Sequence, residues 1–194
     1  THPHHIRPEK TWVEDHYRYC DEFLLPGIDI RRKDAVYAFG ENRLVFETEI
    51  ENLGNAERKI SCYGYAAVRN TREISVEELA DGRMVVHTGN ACIGMDTPDR
   101  EEVYLVDDSP TDFAYQTFLD VLERKQDRSI RTTSCRLGFV QGGSLTLAPG
   151  EKKKVCWALI FADSVRELER DFQKSSGEDK RPEADRYWKE WFQE

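Results

Sequence analysis

The chain has few of the residue patterns that announce chemistry, and each absence removes a class of function. Cysteine is scarce and unpaired. Cys20, Cys62, Cys92, Cys135 and Cys156 are odd in number, and none stands in a Cys-x-x-Cys arrangement, so neither a disulfide framework nor a zinc ribbon is indicated. Cys62, Cys92 and Cys156 lie in apolar, strand-like surroundings, where a free thiol behaves as a small hydrophobe. Reduced, buried cysteines in a cytoplasmic protein are therefore expected. Positive charge is also short: 28 Lys and Arg face 37 Asp and Glu, a net charge of −9. That balance argues against nucleic-acid binding, which rests on neutralising phosphates, and against anionic membrane surfaces. No apolar run is long enough to cross a membrane, no Asn-x-Ser/Thr sequon occurs, and no secretory leader is visible.

Cofactor and catalytic signatures are equally thin. Gly138-Phe-Val-Gln-Gly-Gly143 is followed by no Lys-Ser/Thr and has no dinucleotide-binding spacing, so it reads as a strand end and turn. His2, His4 and His5 sit on a terminal stretch that offers a metal no fixed geometry. His16 and His87 have no cysteine or carboxylate at ligand spacing, and Cys92 and Ser134-Cys135 have no nearby histidine to form a thiolate. Asp107-Asp108 and Glu77-Glu78 offer carboxylates, but glycoside hydrolysis needs two of them about 5–10 Å apart. The sequence places no pair at that distance, and solvated loop charges are the better reading. No catalytic, cofactor-binding or metal-ligating residue is assigned, and no cofactor is expected.

What is present is strand material in quantity. The 194 residues can bury a core without disulfides or metal. In Arg43–Glu51, Leu44, Phe46, Thr48 and Ile50 alternate with Arg43, Glu47, Glu49 and Glu51, as in an antiparallel strand with one solvated face. Asn52-Leu-Gly-Asn55 reads as the turn of a hairpin to a strand over 59–68. The pattern is plainest at Leu145–Phe161. Leu145 and Leu147 alternate with polar residues, Pro149-Gly150 supplies a tight turn, and Val155, Trp157, Leu159 and Phe161 follow at period two. Cys156, Ala158 and Ile160 make that strand's other face apolar too, so cover on both sides is expected.

Helices are few. Ser109-Pro-Thr-Asp112 has the grammar of a helix start, followed by Tyr115, Phe118, Leu119 and Leu122 at helical spacing. Ser164-Val-Arg-Glu167 is a capping box ahead of the stripe Val165, Leu168 and Phe172. Pro182 can open a third helix beyond a polar stretch at 174–180. The expectation is a mainly β, antiparallel two-sheet super-sandwich with two or three short helices. Residues 1–19 read as an extended N-terminal segment, 20–172 as the sandwich domain, and 173–194 as a linker and the start of an interdomain helix.

Two aromatic groups are the candidate contact residues. Trp12, Tyr17 and Tyr19 could stack on sugar rings, although packing of the leading segment explains them more simply. Trp188, Trp191 and Phe192 share one helical face, which suggests an interdomain contact surface. That helix would either fold back on the sandwich or pack on a neighbouring chain.

The strand end Ile50-Glu-Asn-Leu-Gly-Asn55, the strand Ile60-Ser-Cys-Tyr-Gly-Tyr65 and the segment Ser109–Phe118 form an ordered set. So do Leu147-Ala-Pro-Gly-Glu151, Trp157-Ala-Leu-Ile-Phe-Ala-Asp163 and the ending Tyr187-Trp-Lys-Glu-Trp-Phe192. Together they resemble the N-terminal β-sandwich of multidomain glycosidases and glycoside phosphorylases, the group that includes cellobiose and maltose phosphorylases and glucoamylase-like enzymes. The resemblance implies a non-catalytic module joined through a helical linker to a C-terminal helical toroid that carries the catalytic carboxylates. An oligosaccharide is a possible ligand and a homo-oligomer a possible assembly. A stand-alone carbohydrate-binding module and a ligand-free structural or oligomerisation domain are the alternatives.

Overall fold

A computed structural model describes residues 7–25, 27–70, 72–97, 102–107, 132–133, 136–175 and 180–192. Among these the strands are β1 (Lys10–Glu14), β2 (Arg18–Leu25), β3 (Ile30–Phe39), β4 (Arg43–Asn52), β5 (Arg58–Arg69) and β6 (Ile74–Glu78). They continue with β7 (Met84–His87), β8 (Cys92–Asp96), β9 (Glu102–Asp107), β10 (Thr132–Thr133), β11 (Arg136–Leu147) and β12 (Lys152–Ala162). The helices are α1 (Val165–Ser175) and α2 (Arg181–Trp191). One sheet has the order β1-β2-β3-β4-β12-β8-β7-β6-β10 and the other β5-β11-β9. The expected mainly β architecture of two antiparallel sheets with short helices is borne out. The helix expected from Ser109, the Ser134-Cys135 pair and the His2, His4 and His5 cluster lie outside the described residues.

The chain divides into two compact units. Unit 1 comprises Thr1–Ile60, Ser144–Ala158 and Gly177–Glu194, and unit 2 comprises Ser61–Gly143 and Leu159–Ser176. In unit 1, residues 10–14 and 18–25 form β1 and β2, which pair with Glu14 opposite Arg18. Asp15 and His16 both take positive φ (53° and 67°), and the Tyr17 N–H donates to Glu14 O at 3.3 Å. This turn geometry matches the strand twist but ordinarily selects Gly or Asn. Its absence of turn residues hid the hairpin.

The Asn52–Asn55 and Pro149-Gly150 signals do mark turns, but not hairpins within a sheet. β4 and β12 belong to one sheet, and β5 and β11 to the other. Each turn is a corner from sheet to sheet, and Asn52 ties the two together. Its Nδ2 donates to Ala56 O (2.8 Å), Leu147 O (3.1 Å) and Ala148 O (3.2 Å), and its Oδ1 accepts from the Gly54 N–H at 3.0 Å. Its backbone adds bonds to Glu151 O and from the Gly150 N–H. Gly150 has φ +74°, a left-handed conformation that favours glycine there.

Helix α2 packs within unit 1. Tyr17 stacks on Trp188 at 5.6 Å, Tyr187 meets Phe39 edge-on, and the Trp188 indole N–H donates to Ala38 O at 2.8 Å. Phe46 and Trp157 stack at 3.9 Å on the opposite face of the β3–β4 ribbon. β12 is less covered than its sequence suggests: Ala158 and Ile160 are buried, but Val155 and Trp157 are half-buried and Phe161 is exposed.

Unit 2 is built on apolar contact. Three consecutive residues of β7, Met84, Val85 and Val86, are buried, so both faces of that strand are covered. Helix α1 begins as expected, with the Glu167 N–H donating to Ser164 Oγ at 3.3 Å. Its buried Leu168 and Phe172 lie on Gly94 of β8, where a Cβ would collide with the Phe172 ring. Arg83 is buried over that same ring, 4.4 Å from its centroid, and pairs with Asp81 and Asp96.

Candidate functional site

Cross-strand register builds a cleft on one face of unit 1. Trp12 pairs with Cys20, Cys20 with Ala35, and Ala35 with Glu47, making one row across β1 to β4. The small side chains of Cys20 and Ala35 leave a floor, and Trp12 and Glu47 stand at its ends. The cleft, about 180 Å³, is also lined by Arg18, Lys33, Lys154 and Arg181. The adjacent row, Lys10–Glu22–Lys33–Glu49, alternates in sign at each register position, the favourable arrangement for facing strands.

Glu47 lies on the face of β4 that the alternation assigns to solvent, yet it is only 3% exposed. Charge pairing is the reason. Its Oε2 accepts from Arg18 at 2.6 Å, and its Oε1 accepts from Tyr37 OH at 2.9 Å and meets Lys154 Nζ at 3.1 Å. Glu14 holds the other arm of Arg18, and Arg181 lies 3.5 Å from Glu14 and 3.4 Å from Asp15. Burial disfavours the Arg18 cation, but Glu47 outweighs it and raises the guanidinium above its ordinary value. Burial, then Glu47, push the Tyr37 hydroxyl upward, and burial does the same to the Cys20 thiol. Both Glu47 oxygens are engaged, which makes it an anchoring anion rather than a free base. Arg18 Nε, by contrast, is buried without a protein acceptor. An aromatic wall beside a buried donor without a protein acceptor suits a small polar ligand.

The sequence candidates are separated by the fold. Trp12 lines the cleft, with Lys33 Nζ 5.9 Å from its ring centroid. Tyr17 is committed to packing: its hydroxyl donates to Asp185 at 2.5 Å and its ring lies against Trp188 and Tyr37. Burial and Asp185 push that hydroxyl upward. Tyr19, one residue out of register with Arg18 and Cys20, points to the opposite face and is exposed. Trp188 is used inside unit 1, whereas Trp191 and Phe192 are 64% and 60% exposed.

In unit 2 the structure brings together residues that the sequence left without roles. The β7–β8 register sets His87 opposite Cys92. Cys92 Sγ lies 3.5 Å from His87 Nδ1, and His87 Nε2 lies 3.1 Å from Glu77 Oε2. His87 thus has both the cysteine and the carboxylate neighbour that linear spacing concealed. A tight Thr88–Ala91 turn between two apolar runs is the one signal that could have paired them.

No family model matches the sequence, and no curated protein matches it either. Solved structures do match in fold. A bacterial glucoamylase complexed with acarbose superposes with a TM-score of 0.56 at 13% identity, over 87% of this chain and 25% of that one. A galactose mutarotase-like protein from Lactobacillus casei ATCC 334 gives 0.54 at 8% identity, over 79% of this chain and 72% of that one. The chain thus spans about a quarter of the glucoamylase's length. It has the β-sandwich fold of glucoamylase-like and mutarotase-like proteins, and at these identities the likeness is one of fold.

Proposed function

We propose that the chain is the supporting β-sandwich of a multidomain glycosidase or glycoside phosphorylase, inactive alone and serving a helical-toroid catalytic domain. The observation that carries this reading is the asymmetry of the glucoamylase likeness, which takes in 87% of this chain but 25% of that protein. Trp191 and Phe192 support it. Both are exposed at the end of α2, where apolar side chains favour a contact surface for the following domain or a second copy. A reducing compartment suits the free thiols of Cys20, Cys62, Cys92 and Cys156. One observation favours a second reading, a stand-alone carbohydrate-binding module: Trp12 walls a cleft whose lining includes Arg18, with its Nε lacking a protein acceptor.

Calorimetric titration with gluco-oligosaccharides, with assays for hydrolysis and phosphorolysis, tests both. The supporting role expects no turnover and no saturable heat. Saturable binding that disappears in Trp12→Ala would replace it with the binding-module reading. Turnover by the isolated chain, or a coding sequence that stops at Glu194, would overturn it.

A further inference from the structure

We propose that Cys92, His87 and Glu77 form a thiol–imidazole–carboxylate relay that makes Cys92 a site of covalent modification by small, uncharged electrophiles. The inference is independent of the carbohydrate reading. Its basis is the line of contacts in unit 2: Sγ to Nδ1 at 3.5 Å, then Nε2 to a carboxylate oxygen at 3.1 Å. An ionised Glu77 can only accept, so it fixes the imidazole proton on Nε2 and leaves the Nδ1 lone pair toward the thiol. That is the tautomer a base needs. As the sulfur attacks an electrophilic carbon, its proton passes to Nδ1, the new S–C bond forms, and the leaving group departs with the bonding pair. Glu77 stabilises the resulting imidazolium.

The setting decides the kind of electrophile. Cys92 and His87 line an open cavity of about 360 Å³, together with Glu73, Ser75 and Asp163. Glu77 and Asp163 lie near enough to act electrostatically on the sulfur, and Arg72 runs past Gly89 at the cavity's edge. Burial, then these two carboxylates, push the Cys92 thiol upward, so a standing thiolate is disfavoured and reaction depends on transfer to His87. The same carboxylates repel an anionic reagent. Cys92 is itself mostly buried, and the cavity is the route by which a compact reagent reaches it.

The test is the rate of Cys92 alkylation, followed by peptide mass spectrometry on the full chain. Cys20 serves as an internal reference, being equally buried but without a histidine contact. Iodoacetamide should modify Cys92 at least tenfold faster than Cys20, and faster than iodoacetate by a larger ratio than free cysteine shows. His87→Ala should lower the Cys92 rate about tenfold, and added imidazole should restore part of it. Glu77→Gln, at an exposed position, should lower it about threefold, and Glu77→Asp should recover most of the loss. Cys92 reacting no faster than Cys20, or His87→Ala and Glu77→Gln leaving the rate unchanged, would overturn the relay.

Discussion

The two units bury polar side chains in different settings. Unit 1 buries Arg18 and Glu47 at 7% and 3% exposure and locks them through Tyr37, Lys154 and Glu14. Unit 2 builds its interior from Met84, Val85, Val86, Met95, Leu168 and Phe172. Among its described residues the buried cation Arg83 lies on an aromatic face and pairs with the buried Asp96. Cys92 and His87 meet at the margin of that packing, where they line an open cavity. A saturated charge cluster holds a sheet in register, since every acceptor of Glu47 is engaged and cannot take a substrate proton. A thiol whose neighbour is an oriented imidazole retains unused chemistry. Burial of charge therefore marks structure here, and an available lone pair beside a cavity marks reactivity.

The largest effect should come from breaking the unit 1 cluster. Glu47→Gln keeps the volume but leaves the buried Arg18 cation with Glu14 as its remaining carboxylate partner and removes the anion beside Lys154, a loss of about 3 kcal/mol for an under-compensated buried charge. Urea unfolding measures it. Replacing both partners, as in Arg18→Met with Glu47→Leu, should cost less than Glu47→Gln alone, because no charge is then left unpaired. Native-state hydrogen exchange should place the loosening in β2–β4 and leave the β7 amides protected. A change below about 0.5 kcal/mol, within the range of ordinary surface substitutions, would show that the cluster is incidental to stability.

That cluster also shows where sequence reading stops. The alternation in Arg43–Glu51 locates the strand, but Leu44, Phe46 and Thr48 on its expected buried face are half-buried while Val45 and Glu47 on the other face are buried. It cannot reveal that the charged face is buried, because Glu47's partner Arg18 lies 29 residues away on another strand. Turn chemistry has the same limit. Asn52 and Gly150 satisfy a corner between sheets as well as they would a hairpin, so the signals locate the turns without saying which strands pair. The α1 capping box was legible because its bond spans three residues. The β1–β2 hairpin was not, because Asp15 and His16 occupy positions that usually select glycine or asparagine. Cys92 and His87 meet through register alone, a quantity no single strand encodes.

A smaller effect should appear at alkaline pH, again from unit 1. Tyr37 is 2% exposed, and burial with Glu47 raises its folded value above that of the unfolded chain. Between those values the unfolded chain has lost the proton and the folded chain retains it, so stability falls as pH rises. The loss begins near the ordinary tyrosine value of about 10 and approaches roughly 1.4 kcal/mol per pH unit. Tyr37→Phe should flatten that slope between pH 10 and 11. At neutral pH it should cost only about 1 kcal/mol, for the lost bond to Glu47. An unchanged alkaline slope in the variant would remove Tyr37 from the account.

The smallest effect on stability should come from the exposed end of α2, and it sharpens the contrast between packed and open surface within unit 1. Trp188 is engaged by Tyr17 and by Ala38 O, so Trp188→Ala should cost about 2 kcal/mol for a partly buried aromatic and a lost hydrogen bond. Trp191 and Phe192, at 64% and 60% exposure, should together change the unfolding free energy by less than about 0.5 kcal/mol when replaced by Ala. Phe192 does touch His16 and Trp188, but rings so exposed exclude little water from those contacts. The measurement that should respond is association. The double variant should sediment as a smaller species than the parent if copies meet through α2, and should lose affinity for a following domain supplied in trans. Should Trp191→Ala with Phe192→Ala destabilise unit 1 as much as Trp188→Ala, all three aromatics belong to its interior packing. Unchanged association with unchanged stability would leave α2 without a docking role.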